Sequence, residues 1–417
     1  MTLREFALDI VRRLRARGHT ALWAGGCVRD QLLGLEPHDY DVATDATPSA
    51  VQKIFRRSLA VGAQFGVIEV LGPLPKMHVQ VATFRTDLDY RDGRHPSDIR
   101  FGTAEEDAQR RDFTINGLFF DPVQEKVIDY VGGQQDLQAK CLRAIGNPEQ
   151  RFEEDKLRLL RAARFVARFG LTLEPETLSA LTRLAPKVIQ VSPERITDEL
   201  RKMTALSSRA TAFQLLVQTG LLAQVFGPWA APTNSLEFPV LNALAEPVPF
   251  PLAIADILLE LHGSLLDELL ARKPVLDLAL HLRISNEERE HLAWLLKERD
   301  VLRRASRLSY SVLKPLLAHV WIDDLLAWLR ARLEAQGHST DAVEFCRAKR
   351  VSWAPRELDP LPLLTGDDLI RLGFQPGPEF KGWLAAIRAA QLDEEIHTPQ
   401  EAAKLLKLLV QETKKEA

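Results

Sequence analysis

Apolar and polar positions in the first third of the chain switch several times between helical spacing and strict alternation. Residues 3–17 carry apolar side chains at helical spacing and end at Gly18, so they predict a first helix. Thr47 followed by Pro48 is typical of the start of another short helix. Alternating segments that predict strands are TALWAGG, YDVATD, FGVIEVLG and HVQVATFRTD, and the polar run DYRDGRHPSDIRFGTA predicts a loop before a helix around QRRDFTINGL. This order predicts a small mixed sheet that carries helices.

The pattern changes after about residue 140, where the strand signals almost disappear. From Pro148 onward apolar positions recur at helical spacing, and Ser192 with Pro193 is typical of a helix start. Proline-rich stretches at 245–252 and 352–364 predict breaks between helical groups. The predicted fold class is therefore α+β: a mixed-sheet head at 1–140, then a helical neck at 141–206, a helical body at 207–340 and a helical tail at 341–417.

Composition narrows the class of protein without naming a function. The chain has 417 residues, 46% of them hydrophobic and 27% charged, which predicts several folded domains. No stretch has the long uncharged apolar run of a membrane span, and three widely separated cysteines fit a reducing compartment, so we expect a soluble, cytoplasmic protein. A net charge of −3 neither requires nor excludes a nucleic-acid partner.

The tripeptide DYD contains the first candidate functional residues, Asp39 and Asp41. Residues two apart in a strand project from the same face, so both carboxylates can reach one cation. Magnesium prefers such oxygen ligands, and two ions about 3.5 to 4 Å apart can stabilise a phosphoryl displacement. An isolated DYD would more often only cap a surface turn, so the interpretation depends on its neighbours.

The segment GGCVRD follows a predicted strand and opens a predicted helix. Gly25 and Gly26 let backbone N–H groups approach phosphate oxygens, and Arg29 can grip a phosphate with its guanidinium. A glycine pair before a helix is weak by itself. Together with the carboxylate pair it predicts a nucleotidyltransferase that binds a nucleoside triphosphate.

GGCVRD and DYD together resemble the active-site motif of the tRNA nucleotidyltransferase and bacterial poly(A) polymerase superfamily. RRDFTIN resembles the second motif of that family, and DYVGGQQDLQAKCLR resembles its third, which links head to neck. The resemblance implies a polymerase-β-like head and a triphosphate and ribose site formed by Gly25, Gly26, Arg29, Arg110, Arg111, Asp112 and Asn116. In chemical terms Asp112 can accept a hydrogen bond from a 2′-hydroxyl and Arg111 can pair with phosphate, although RR beside D is also common on a solvated helix face.

EEDKLR resembles the motif with which the family reads the incoming base. Asp155 and Arg158 are three apart in a predicted helix and so would share a face; elsewhere we would interpret them as a surface ion pair. A carboxylate that accepts from an exocyclic amino group, beside a guanidinium that donates to the ring, matches an edge common to cytosine and adenine. Guanine and uracil present a carbonyl there and are rejected. The resemblance implies base recognition by Asp155, Arg158 and Arg161.

Two further segments extend the resemblance, so that its motifs cover residues 20–206. SPERITDEL resembles the motif that braces the neck helix through Glu194 and Arg195, although a capped amphipathic helix would look the same. DGRHPSDIRF resembles the flexible loop associated with the switch from C to A addition, with Asp92, Arg94 and His95 as its candidate residues. One departure stands out: family members often carry glutamate where this chain has Gln80, and an amide cannot act as a base.

The resemblance implies an enzyme that adds CCA to tRNA from CTP and ATP, with two Mg²⁺ ions as cofactors and the tRNA acceptor arm bound by body and tail. No protein partner and no membrane is implied. Two alternatives stay open on the sequence. An A-adding enzyme or a poly(A) polymerase shares the motifs, and a non-catalytic RNA-binding module would share the fold.

Overall fold

The computed structural model describes every residue except 63–65, 91–95, 232–235 and 417, and it describes only the backbone at 61–62, 87–90, 96–99 and 412–416. The chain forms two compact units. Unit 1 comprises 1–238 and 280–283, and unit 2 comprises 239–279 and 284–417. The predicted head and neck both lie within unit 1.

The head is built on a seven-stranded mixed sheet. The strands of unit 1 are β1 Ala21–Ala24, β2 Asp41–Thr44, β3 Ser58–Gly62, β4 Val67–Leu71, β5 His78–Thr83, β6 Arg85–Tyr90, β7 Pro96–Phe101, β8 Leu118–Asp121, β9 Lys126–Asp129, β10 Cys141–Leu142 and β11 Thr172–Leu173. The sheet order is β3-β4-β5-β2-β1-β8-β9, and β2 and β5 are its parallel pair. Of the two catalytic candidates, Asp41 therefore falls on a central strand, and Asp39 lies just before it.

The α-helices of unit 1 that the structure describes cover the sheet, form the neck and begin the predicted body. They are α1 Leu3–Arg15, α2 Gly26–Leu32, α3 Pro48–Ile54, α4 Ala104–Gln109, α5 Gly133–Gln138, α6 Pro148–Glu154, α7 Leu157–Phe169, α8 Pro175–Leu184, α9 Pro193–Thr204, α10 Arg209–Gln218 and α11 Leu221–Phe226. The predicted first helix is confirmed, with a capping box at Thr2. Thr47 caps α3 as its sequence predicts.

The sheet buries a core on both faces. On one face Leu22, Ala24 and Ala43 pack with Ala108 of α4. On the other face Trp23 packs edge-on against Tyr40, with ring centroids 4.8 Å apart, and beneath the Arg4 guanidinium of α1. Because side chains alternate along a strand, α1 and α4 lie on opposite faces of the sheet.

Two local predictions in the head are wrong. The polar run at 89–104 is not simply a loop, because β6 and β7 pair antiparallel as a separate two-stranded ribbon on either side of 91–95. The run 109–118 is not a continuous helix either. Helix α4 ends at Gln109, and only a single 3₁₀ turn at Thr114–Asn116 follows.

The segment EEDKLR also differs from its predicted helix. Asp155 is not in a helix: it has extended backbone angles, φ −145° and ψ 105°, at a break between α6 and α7. Its Oδ1 accepts the N–H of Leu157 at 3.0 Å, so it satisfies a free donor in the first turn of α7. Asp155 and Arg158 therefore do not share a helical face. The extended backbone between α6 and α7 positions Asp155 instead.

Unit 2 is helical over the residues that the structure describes. Its helices are α12 Pro239–Ala243, α13 Phe250–His262, α14 Leu266–Arg272, α15 Val275–His281, α16 Asn286–Glu298, α17 Tyr310–Ala318, α18 Ile322–Ala335, α19 Asp341–Ser352, α20 Pro355–Leu358, α21 Gly366–Arg371, α22 Glu379–Leu392 and α23 Pro399–Glu416, with the end of α15 counted in unit 1. In the described part of the chain no single helix could cross a membrane by length and composition; only α10 with the following Leu221–Trp229, bent by 91°, passes that test as a pair.

Candidate active site

Most of the predicted functional residues line one open cavity in unit 1 with a volume of about 540 Å³. This volume is in the range of small-ligand sites. The lining residues are Gly25, Gly26, Arg29, Asp41, Arg110, Arg111, Asp112, Asn116, Asp155, Leu157, Arg158, Arg161, Arg164, Phe165, Arg168 and Arg195. The distant motifs of the sequence are thus brought together. Of the remaining candidates, Asp39 and Glu194 do not line the cavity, and Asp92, Arg94 and His95 lie outside the described residues.

The two aspartates of DYD lie where the chain enters β2. Asp41 is the first residue of the strand and Asp39 precedes it, so the prediction that both are within a strand holds for Asp41 alone. Tyr40 between them is buried and both aspartates are exposed, so their side chains still project to one side. The pKa of the Asp41 carboxyl lies above its usual value, mainly because of desolvation. The nearby Arg111 acts to lower this pKa, and the like charge of Asp39 acts to raise it further. A bound cation would relieve that repulsion.

Gln80 is the neighbour of Asp41 on the next strand. The two residues are paired in the parallel register of β2 and β5, and Gln80 is exposed. Among the described residues, no group of three or more histidine, cysteine, aspartate or glutamate side chains could hold a metal. At this site the described residues offer the carboxylates of Asp39 and Asp41 and, on the neighbouring strand, the amide oxygen of Gln80.

The turn from β1 into α2 brings Arg29 and the glycines to the cavity. Arg29 is 4% exposed, and its guanidinium donates to Asp30 at 2.6 Å and to the side-chain oxygen of Asn116 at 2.5 Å. Gly25 has φ +71°, a backbone conformation that disfavours a side chain, and a Cβ there would lie 2.6 Å from Nη1 of Arg111. Both the turn and the position of Arg111 therefore require glycine.

Replacing Gly25 by Ala is expected to weaken binding of CTP and ATP about tenfold, in addition to a loss of about 1–2 kcal/mol in folding free energy. The control is Gly34→Ala, because Gly34 has the same φ of +71° but no heavy atom within 4 Å of its would-be Cβ. Calorimetric nucleotide binding and urea unfolding measure the two effects. Equal loss of nucleotide affinity in both variants would contradict a role for the Arg111 contact.

Asp107 holds the two arginines of RRDFTIN. This carboxylate is buried and accepts from Arg110 at 2.6 Å and from Arg111 at 3.0 Å. Burial acts to raise the pKa of Asp107, but Arg111 and Arg110 outweigh it and the pKa lies below its usual value. Arg111 also donates to the backbone oxygen of Asn116 at 3.2 Å. Asp107 was not predicted as a site residue, although its spacing of three and four from the arginines could have indicated it.

Asp112 forms a buried ion pair with Arg161. Both Nε and Nη2 of Arg161 donate to one Asp112 oxygen, at 2.9 and 2.6 Å, and Asn116 donates to the other at 3.0 Å. Burial acts to raise the pKa of Asp112, but Arg161 and the Asn116 hydrogen bond hold it well below its usual range. Asp112 therefore stays ionised, and its bond to α7 joins the head motif to the neck.

Asp155 and Arg158 each have a different partner from the one that their spacing predicts. Arg195 of α9 donates to Asp155 at 2.9 Å, while Arg158 pairs with Glu154 at 2.6 Å. Arg158 also donates to the backbone oxygen of Arg110 at 3.3 Å. The two base-recognition candidates are thus held separately, and each remains in the lining of the cavity.

The neck contributes further lining residues that the sequence analysis missed. Arg164 donates to the buried Glu199 of α9 at 2.6 Å, and Phe165 lies beneath several guanidinium groups, including that of Arg29 at 5.4 Å. Arg168 also lines the cavity. These arginines continue the helical spacing that begins at Arg158 and could have been found from it. By contrast Glu194 is exposed and lies 3.9 Å from Arg283, so the acid that links α9 to α7 is Glu199.

Positive side chains outnumber negative ones in the lining, although Asp30, Asp107, Glu154 and Glu199 outside it pair with some of them. Eight arginines face the cavity against three aspartates. Low-dielectric walls around a cavity of one sign concentrate the field and attract ions of the opposite sign. A polyanion such as a triphosphate is the ligand class that this cavity favours.

Two family models and several known proteins are similar to parts of this chain. A family described as poly A polymerase head domain matches residues 21–143, and one described as probable RNA and SrmB-binding site of polymerase A matches residues 170–232. The CCA-adding enzyme of Bacillus subtilis is 41% identical over 237 residues, 56% of this chain and 59% of that protein. Poly(A) polymerase I of Salmonella typhi is also 41% identical, over 53% of this chain and 50% of that protein.

A solved structure extends the similarity to the whole chain. The CCA-adding enzyme of Bacillus stearothermophilus, crystallised in complex with CTP, has a TM-score of 0.76 and 26% identity and covers 100% of both chains. In sequence, however, the chain spans only about half to three-fifths of the curated relatives that it matches. The predicted α+β class, with a mixed-sheet head and a helical remainder, is confirmed by fold and comparison alike. The chain is therefore similar to CCA-adding enzymes and bacterial poly(A) polymerases in sequence, and to a CCA-adding enzyme in fold over its whole length.

Proposed function

We propose that the protein adds CCA to the 3′ end of tRNA, using CTP and ATP without a nucleic-acid template and releasing pyrophosphate. The observation that carries the proposal is the single cavity, in which residues suited to metal, triphosphate and base binding face the same space. Similarity over the full length of a CCA-adding enzyme supports the tRNA reaction over poly(A) addition.

Metal dependence is general in this superfamily. Here Asp39 and Asp41 fit a hard cation, because both carboxylates are exposed on one side of the chain and repel each other in its absence. We infer that they hold two Mg²⁺ ions, whose chemistry would be to acidify the primer hydroxyl and to neutralise charge on the phosphates. Gln80 adds no charge to this site.

The triphosphate is bound by the arginines and the glycine turn. Arg29 and Arg111 are fixed by Asp30 and Asp107, so little ordering is required when a phosphate arrives. Without side chains, Gly25 leaves space for Nη1 of Arg111 and Gly26 for Nη2 of Arg29, so both arginines can lie beside the backbone that the phosphate approaches. Arg110 and Asn116 complete the phosphate and ribose site, and the ionised Asp112, whose oxygens already accept from Phe113, Asn116 and Arg161, holds Asn116 and Arg161 in place there. With the nucleotide held in this way, the primer 3′-hydroxyl attacks the α-phosphorus in line and pyrophosphate leaves.

The base is read by Asp155 and Arg158. Arg195 occupies only part of the acceptor capacity of the Asp155 carboxylate, since two oxygens offer about four lone pairs. Asp155 thus accepts from the amino group of cytosine or adenine, and Arg158 donates to the adjacent ring atom. Arg161 supports the site through its bond to Asp112. Body and tail bind the tRNA acceptor arm by shape and phosphate contacts.

Incubating the protein with a tRNA transcript that lacks CCA, and with each nucleoside triphosphate singly, tests the proposal. C incorporation from CTP, followed by A from ATP only after two C additions, is the expected result. Addition of A alone would instead favour an A-adding enzyme or a poly(A) polymerase, the alternative suggested by the Salmonella relative. Absence of any incorporation, with RNA binding intact, would favour the non-catalytic module.

A further inference from the structure

A second strongly basic surface lies outside the cavity, at the C-terminal ends of α1 and α3. We call it the basic patch. It consists of six exposed side chains: Arg12, Arg13, Arg17, Lys53, Arg56 and Arg57. The motifs of the sequence analysis do not include any of these residues.

Contacts of Arg13 bring the two parts of the basic patch together. Its Nη2 donates to the backbone oxygen of Ile54 at 2.8 Å, and its guanidinium lies 4.4 Å from the ring centroid of Phe55. Lys53 and Arg56 flank that contact directly in sequence. Arg12 and Arg13 lie in the last turn of α1, and Arg17 follows two residues after the helix ends at Arg15. The cations therefore form one surface.

The charges of the basic patch are largely uncompensated. Only Arg13 has a carboxylate near it, Asp9 at 3.7 Å; the other five form no ion pair within the part of the chain that the structure describes. Arginines of the cavity differ, since Arg29, Arg111 and Arg161 are each paired with an aspartate. The whole chain carries a net charge of −3, so the basic patch is a local feature and not part of a generally basic surface.

The basic patch lies on the opposite face of the sheet from the catalytic carboxylates. Helix α1 packs on the face of Trp23, whereas Asp41 alternates with Val42 and so projects to the face of Ala43 and α4. The basic patch cannot belong to the nucleotide cavity. Among the described residues of this face, the aromatic rings of Phe6, Trp23, Tyr40 and Phe55 are all buried and so cannot stack on a base.

We propose that the basic patch binds the phosphate backbone of a base-paired RNA segment, as a second contact with the RNA outside the catalytic cavity. Exposed cations without stacking aromatics recognise phosphates independently of sequence, and single-strand platforms normally use aromatic rings. The inference rests on the proposed function only in taking RNA as the polyanion. Anionic lipid is the rival ligand.

The test compares two variants with equal loss of charge. The variant Lys53→Gln/Arg56→Gln/Arg57→Gln removes three cations of the basic patch, and Lys76→Gln/Lys126→Gln/Lys140→Gln removes three exposed lysines elsewhere in unit 1. Filter binding of a tRNA transcript lacking CCA is measured from about 50 to about 300 mM salt, a range over which phosphate contacts lose affinity steeply. The first variant should lower the slope of log K against log salt by about two to three, and affinity at low salt about tenfold or more. The control should match the wild type within about twofold.

Equal slopes for the wild type and the basic-patch variant would overturn the proposal, as would an equal loss in the control. Vesicles that contain phosphatidylserine form a second arm: lipid binding lost in the basic-patch variant with an unchanged RNA slope would assign the surface to lipid instead. Calorimetric CTP binding should be unchanged in both variants and verifies that they are folded. Failure of C incorporation would reject CCA addition while leaving the salt slopes intact, so the two proposals can be judged separately.

Discussion

Replacing Asp41 by Ala is expected to lower the rate of nucleotide addition by about a thousandfold or more, because the metal site would keep a single carboxylate. Binding of tRNA should stay within about threefold of the wild type, since loss of a negative charge does not weaken contact with phosphate. Single-turnover incorporation of CTP and filter binding of tRNA measure the two quantities.

A control for Asp41 is available in the same loop. Glu36 is exposed and does not line the cavity, so Glu36→Ala removes one negative charge without touching the proposed metal site. Its rate should be close to that of the wild type. An Asp41→Ala variant that kept more than about a tenth of the activity would contradict the assigned role, because such a loss is smaller than removal of a metal ligand produces.

Replacing Asp155 by Ala is expected to relax base choice more than it weakens triphosphate binding. In the proposed function this carboxylate accepts from the amino group of cytosine or adenine, and without it the carbonyl oxygen of guanine or uracil no longer faces a second acceptor with a hydrogen bond unmade. Such an unmade hydrogen bond costs about 1–3 kcal/mol, so discrimination against GTP and UTP should fall about 10- to 100-fold. The ratio of kcat/KM values for CTP and UTP measures this directly.

The matched control for Asp155 is Glu149→Ala. Glu149 is a half-exposed acid of the preceding helix that pairs with Arg183 and does not line the cavity. Its removal should leave base choice unchanged. If Asp155→Ala rejected GTP and UTP as strongly as the wild type, the template role would be refuted, and Arg158 with Arg195 would have to account for specificity.

Local features of the fold were predictable because their causes lie within a few residues. Thr47 and Pro48 define the start of α3, and the positive φ of Gly25 follows from a tight turn between strand and helix. The break at Asp155 was not predictable, since no proline or glycine occurs there to interrupt the helical pattern. The ribbon formed by β6 and β7 was also missed, because its polar side chains resemble a loop.

The partners of the site residues are set by the tertiary fold. Arg161 and Asp112 are 49 positions apart, and Arg195 and Asp155 are 40 positions apart. Spacing within a motif carries no information on pairs of this kind. The motif therefore suggested that Asp155 lies beside Arg158, whereas in the fold Asp155 pairs with Arg195 of α9. Most of the residues that the family resemblance suggested line one cavity, but only the structure identified which of them hold one another.

The hydrogen bond from Arg158 to the backbone oxygen of Arg110 has a consequence for fidelity. In the proposed function, it couples the residue that reads the base to the segment that binds the phosphates. A mismatched base that pushes Arg158 aside will also disturb Arg110 and Arg111, and so misalign the α-phosphorus. Wrong nucleotides would then be rejected mainly through slow turnover after binding, and less through weak affinity.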